Sequence, residues 1–209
     1  MDELRPDDYA VIRIGGHAEL LQNAAYVPLA SVSGLDAPKT LTEDFSEILG
    51  FYVGNGYTKE SGLALIVNDA DTDLGVKFKR YFTGIDVTSS TEHTPGCHQI
   101  TFHRRGRWAE WFEVNDLKKK AGGVGVGAAS AQIPLAVLRS RTSVLAAFLR
   151  GLFTADGTVY RNGVGTAIVE LSTVSEKLAI QVHGTLEALG MRAHHSVNYD
   201  RSTSFGDRP

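Results

Sequence analysis

The sequence predicts an α+β fold made of two copies of one α-β-β-α-β-β-α unit, the second copy cut short. Three observations carry the prediction. Helical and strand-like apolar patterns alternate over residues 40–121 and again over 142–209. Each stretch opens on a helix of one written form, apolar-x-Gly-apolar-apolar-x-small-Asx-Gly, at 48–56 and at 149–157. A shift of 101 residues lays Ile48 on Leu149, Gly50 on Gly151, Gly54 on Ala155, Asn55 on Asp156 and Gly56 on Gly157.

The elements follow in order. Residues 1–38 are Asp-rich, pass through a β-like stretch at 9–14, and end in a loop with Gly34 and Pro38. The first unit, 40–121, starts with capping-box spacing at Thr40 and Glu43, followed by Phe45, Ile48, Leu49 and Tyr52 at helical period. Residues 63–67 are an apolar, strand-like run. Asp71 or Thr72 caps a second helix bearing Leu74, Phe78 and Phe82, and strands follow at 85–90 and 98–105. A helix with Trp108, Trp111, Phe112 and Leu117 closes the unit. A Gly/Ala-rich junction occupies 122–141 and is flexible by composition. The second unit, 142–209, starts a helix at Thr142 or Ser143, has a strand at 167–171, opens a helix at 172–175 that Gly190 stops, and has a strand at 192–199.

Composition bounds the function. The chain is 43% hydrophobic and 22% charged, with 22 Gly and 6 Pro, which excludes disordered and fibrous classes. No apolar run approaches a membrane span, and no basic-then-apolar leader opens the chain, so a cytoplasmic, soluble protein is expected. One cysteine, Cys97, excludes an internal disulfide or a Cys-based zinc cluster. The net charge of −3 hides a split: residues 1–76 hold 4 Lys+Arg against 13 Asp+Glu, and residues 77–209 hold 17 against 11. The second part can meet phosphates, although a solvated mixed surface reads equally well.

The paired motif carries chemistry. Small residues on one face, Gly50 with Gly54 and Gly151 with Ala155, let two helices approach closely. Packed together, they bring the eighth motif positions to a common point. Paired carboxylates there would bind Mg²⁺ and activate water against a phosphodiester.

Both strings and their placement resemble the LAGLIDADG homing endonuclease family in its two-repeat, single-chain form, over about 40–209. The run 145–157, preceded by Ile133-Pro134, looks like the endonuclease domains embedded in inteins, and 2–13 resembles part of an intein splicing domain. The resemblance implies saddle-shaped sheets on double-stranded DNA, cut by a monomer acting as a pseudo-dimer with Mg²⁺. It gives Asp156 the role of catalytic metal carboxylate, and Ala155 and Gly54 that of backbone carbonyl donors to metal. The first motif has Asn55 where the family has Asp, a neutral and weaker donor. The lysine that intein endonucleases carry two residues before Ile-Pro is replaced by Ala131. Cleavage is expected to be impaired. Splicing is not expected, because Met1 is no splicing nucleophile and the sequence contains no His-Asn dipeptide.

Strand alternation names a DNA surface. Ile100 and Phe102 would pack on helices while Gln99, Thr101, His103 and Arg105 face outward; Arg192, His194, Ser196 and Asn198 would share a second face. Each reads equally well as the polar side of a half-covered sheet. Arg104, Arg105 and Arg107, with 118–120, are candidates for phosphate contacts, 118–120 also reading as a helix C-terminal turn. The Trp108–Trp111 pair reads as core and the histidines as surface or core. Alternatives to an endonuclease are a nucleic-acid-binding module that does not cut and a structural intein insertion.

Overall fold

A computed structural model describes Gly16 and residues 24–59, 62–82, 86–103, 107–119 and 126–197. The β-like stretch at 9–14 lies outside the described residues. Within 24–41 the chain doubles back through an isolated bridge between Pro28 and Thr40, flanked by bonds from Leu29 N to the Lys39 carbonyl and from Leu41 N to the Val27 carbonyl. Asn115 holds this segment in place, accepting from Ala30 N at 2.9 Å and donating to the Ala30 carbonyl at 3.1 Å.

Helix α1 spans Glu43–Asn55. Its N-cap is Thr42, whose hydroxyl accepts from Phe45 N at 3.3 Å, two residues later than the capping-box spacing at Thr40 predicts. Thr40 is instead engaged in the bridge with Pro28. Strands β1 (Gly56–Lys59), β2 (Gly62–Asn68), β3 (Asp86–Thr94) and β4 (Cys97–His103) form one antiparallel sheet in the order β1-β2-β4-β3. Helix α2 (Thr72–Tyr81) crosses between β2 and β3, and the short helix α3 (Trp108–Val114) follows β4. Leu63, Leu65 and Val67 alternate on β2, and all three are buried. Against that side lie Phe45, Tyr52, Phe78, Phe82, Trp108, Trp111 and Phe112, joined by ring contacts such as Phe78–Phe82 at 4.3 Å and Tyr52–Phe112 at 4.8 Å. Trp108 and Trp111 are core, as the sequence suggests.

Over its described residues, 126–141, the junction is more ordered than its composition predicts. Residues 126–141 carry two one-turn helices, α4 (Val126–Ala129) and α5 (Leu135–Leu138), and bury Ala131, Ile133 and Val137. Apolar burial overrides the flexibility of glycine here.

Helix α6 spans Thr142–Asp156. Neither Thr142 nor Ser143 caps it: the N-cap position is Arg141, and the Ser143 hydroxyl donates to Glu43 Oε1 at 2.6 Å. β5 (Gly157–Arg161) and β6 (Ala167–Leu171) make a two-stranded sheet, and α7 (Glu176–Ala188) follows. Ser175 caps α7, accepting from Leu178 N while donating to the Ala131 carbonyl at 2.7 Å. The expected strand at 192–199 does not form over the described residues 191–197. Among the described residues no neighbouring strand offers it a ladder, and the Ala193 carbonyl lies 3.2 Å from His183 Nε2. The architecture is α+β.

Candidate functional site

The site grows from the contact between α1 and α6. Gly50 and Gly151 let the two backbones touch, because a Cβ at either would collide with a carbonyl oxygen of the other helix. Polar bonds stitch the same seam. Ser46 Oγ donates to the Val144 carbonyl at 2.8 Å, and Arg150 Nε donates to Glu47 Oε1 at 2.7 Å. Lys77 of α2 meets the other Glu47 oxygen at 3.2 Å. Burial alone would raise the Glu47 carboxyl, but the bonds to Arg150 and Lys77 outweigh it and hold the group below the usual carboxylate range.

Asn55 and Asp156 are the last residues of α1 and α6. Each is followed by an extended glycine that turns the chain into a strand: the Gly56 N–H donates back to the Tyr52 carbonyl, and the Gly157 N–H to that of Phe153. The two ends meet. A Cβ on Gly54 would stand 2.4 Å from Ala155 Cβ and 3.2 Å from Asp156 Oδ2. All four residues expected at a metal site, Gly54, Asn55, Ala155 and Asp156, therefore lie on two abutting helix ends.

A fifth group joins them that sequence reasoning misplaced. Lys119, in the coil after α3, is 8% exposed. Its Nζ donates to the Gly54 carbonyl at 3.1 Å and to the Gly56 carbonyl at 2.6 Å. Desolvation pushes its pKa down to about 8, against the upward pull of the Asp156 carboxylate. Asp156 is exposed, yet its carboxylate lies against Gly54 of α1, which strips part of its hydration. That partial desolvation raises its carboxyl above the ordinary value, and Lys119 pulls it back down. Ala131, the place where the missing cation was expected, is 5% exposed within the core. The faint signal for Lys119 was the lack of any basic residue in the last turn of α1, which leaves its terminal carbonyls to be met from elsewhere.

The resemblance implies a divalent cation. Among the described residues, no group of three or more His, Cys, Asp or Glu could hold a metal by side chains alone. On the α6 end, the Asp156 carboxylate and the Ala155 backbone carbonyl are hard oxygen donors of the kind Mg²⁺ takes together with water. On the α1 end, Asn55 brings no charge, and the Gly54 carbonyl is bonded to an ammonium.

The expected DNA-facing residues are only partly gathered. Gln99 lies on the sheet side away from the aromatic core, accepting from the Tyr57 hydroxyl at 2.9 Å and donating to Thr101 Oγ1 at 3.1 Å. Thr101 is 7% exposed, so it braces Gln99 rather than presenting itself to solvent as predicted. His103 ends β4; its side chain, with Arg104 and Arg105, lies outside the described residues. Arg107 forks onto Glu110 with two bonds of 2.7 Å and is tied to its own fold. Arg192 and His194 are exposed, on coil instead of a strand, and Asn198 lies outside the described residues.

Two abutting helix ends that present a carboxylate, an amide and an ammonium are the structural signature of this chain. Residues 143–206 match the family model described as the LAGLIDADG-like domain. The chain is also similar to the A subunit of DNA gyrase from Mycobacterium gordonae, 28% identical over 210 residues, covering 94% of this chain and 33% of the relative. It thus spans about a third of the length of that protein. No helix among the described residues is long and apolar enough to cross a membrane.

Proposed function

We propose that the chain is an intein-type LAGLIDADG homing endonuclease domain, two pseudo-symmetric repeats acting as one unit on double-stranded DNA, with cleavage weakened at the first motif. The observation that carries this reading is the meeting of Asp156, Gly54 and Lys119 at the two helix ends. The LAGLIDADG-like match at 143–206 and the similarity to a longer, differently named protein support an endonuclease carried inside a host chain.

In this reading the Asp156 carboxylate, with the Ala155 carbonyl, would hold Mg²⁺, which would supply an activated water and charge neutralisation at a scissile phosphate. The Lys119 ammonium, bonded to the Gly54 and Gly56 carbonyls, supplies fixed positive charge at the α1 end of the site. Gln99, with the basic residues Arg104, Arg105 and Arg192, meets the duplex. The pairing of one carboxylate with one amide supports a nick in one strand over a concerted double-strand break.

A supercoiled plasmid bearing the uninterrupted host coding sequence tests the reading. In Mg²⁺ the chain converts it to the open circle, with little linear product, and Asp156→Asn stops the conversion. Efficient linearisation would overturn the impairment assigned to Asn55. No cleavage together with no duplex binding would overturn the nuclease reading.

A further inference from the structure

The two helix ends differ in one respect that the motifs alone do not reveal. Lys119 is drawn in from 65 residues beyond Gly54 to bond the Gly54 and Gly56 carbonyls, with its Nζ 6.0 Å from the centre of the Tyr52 ring. The C-terminal carbonyls of α1 lie at the negative end of a helix dipole and have no basic residue of their own. A divalent cation at this end would need the Gly54 oxygen that Lys119 holds. It would also need an anionic neighbour, and the side chain there is the neutral amide of Asn55. Two cations would then compete for one carbonyl at contact range, with Asp156 the one carboxylate among the described residues at the two ends. The α6 end has the opposite balance: an anionic carboxylate at its last residue and no basic residue in its last turn.

We propose that the Lys119 ammonium takes the place of a metal ion at the α1 end, so that the chain binds one divalent cation, at the Asp156 end. The inference rests on the endonuclease reading above and sharpens it. A duplex lying over the two ends meets a metal on one strand and an ammonium on the other, so the same strand is nicked at every encounter.

The test counts ions instead of measuring cleavage. The full chain is titrated with Mn²⁺, and the free ion is followed by electron paramagnetic resonance. One Mn²⁺ binds per chain, and Asp156→Asn weakens that binding at least tenfold. The double variant Asn55→Asp with Lys119→Met, which restores a carboxylate and frees the Gly54 carbonyl, binds two. Circular dichroism checks that each variant is folded; if one is not, the count on the unaltered chain still decides. Two ions on the unaltered chain would overturn this inference and leave the endonuclease reading standing. One ion insensitive to Asp156→Asn would overturn the site assignment. No bound ion would overturn both.

Discussion

Gly50 and Gly151 lie against each other's helix backbones: a Cβ on Gly50 would stand 2.0 Å from the Phe148 carbonyl oxygen, and one on Gly151 1.8 Å from that of Glu47. Neither neighbour is a side chain that can rotate away. Gly50→Ala or Gly151→Ala therefore forces the helices apart and costs about 3 kcal/mol or more. Gly184, inside α7 with nothing within 4 Å of its Cβ position, is the control; Gly184→Ala gains about 0.5–1 kcal/mol from helix propensity. Urea unfolding of the three variants checks both signs. A seam variant as stable as the parent would remove the close approach from the account.

Acid loosens the same seam. Glu43 is held below its usual value chiefly by the Ser143 hydroxyl, and Glu47 by Arg150 and Lys77 acting against burial. Both carboxylates have lower folded than unfolded pKa values. The stability they contribute is present above the unfolded value and is lost as pH falls through the folded one. The melting temperature should fall steeply below about pH 4. Glu47→Gln lowers stability by about 1 kcal/mol at neutral pH and flattens the acid limb of the curve. Thermal melts from pH 7 to pH 3 measure this; parallel limbs for parent and variant would contradict it.

Duplex binding separates charge from readout. Arg192→Ala should weaken binding to every sequence alike and reduce the slope of log K against log salt by about 1. Gln99→Ala leaves the slope alone and relaxes preference at one base pair, at a cost of about 1–3 kcal/mol. Fluorescence anisotropy on matched and mismatched duplexes at several salt concentrations distinguishes the two; an Arg192→Ala effect confined to one sequence would contradict the phosphate role.

The seam was legible because close helix packing writes itself into sequence as glycine at fixed spacing. Gly50, Gly54 and Gly151 could be paired by eye, and with them the positions of Asn55 and Asp156. β1 and β5 leave little sign in the sequence, because strands of four and five residues carry too little alternation. β5 did leave a trace in Asn162-Gly163 after Thr158-Val-Tyr160, and Asn162 Oδ1 does accept from Val164 N and Thr166 N in the turn. The strand expected at 192–199 fails for a different reason: alternation among polar residues does not form a strand unless a partner strand supplies the ladder. Lys119 was hidden by locality. A three-lysine run reads as a phosphate contact or a helix C-terminal turn, and only tertiary structure shows the middle one turning inward to carbonyls far away in the chain.

Seam and tip answer to different pressures. At the tip, aspartate and asparagine have nearly one shape, so exchanging them alters charge with little strain. At the seam, a single methyl group has nowhere to go. A lineage released from selection for cutting would drift first at the helix ends and last at the glycines. The helix pair would thus outlive its chemistry, like a hinge still fitted after its latch has worn away.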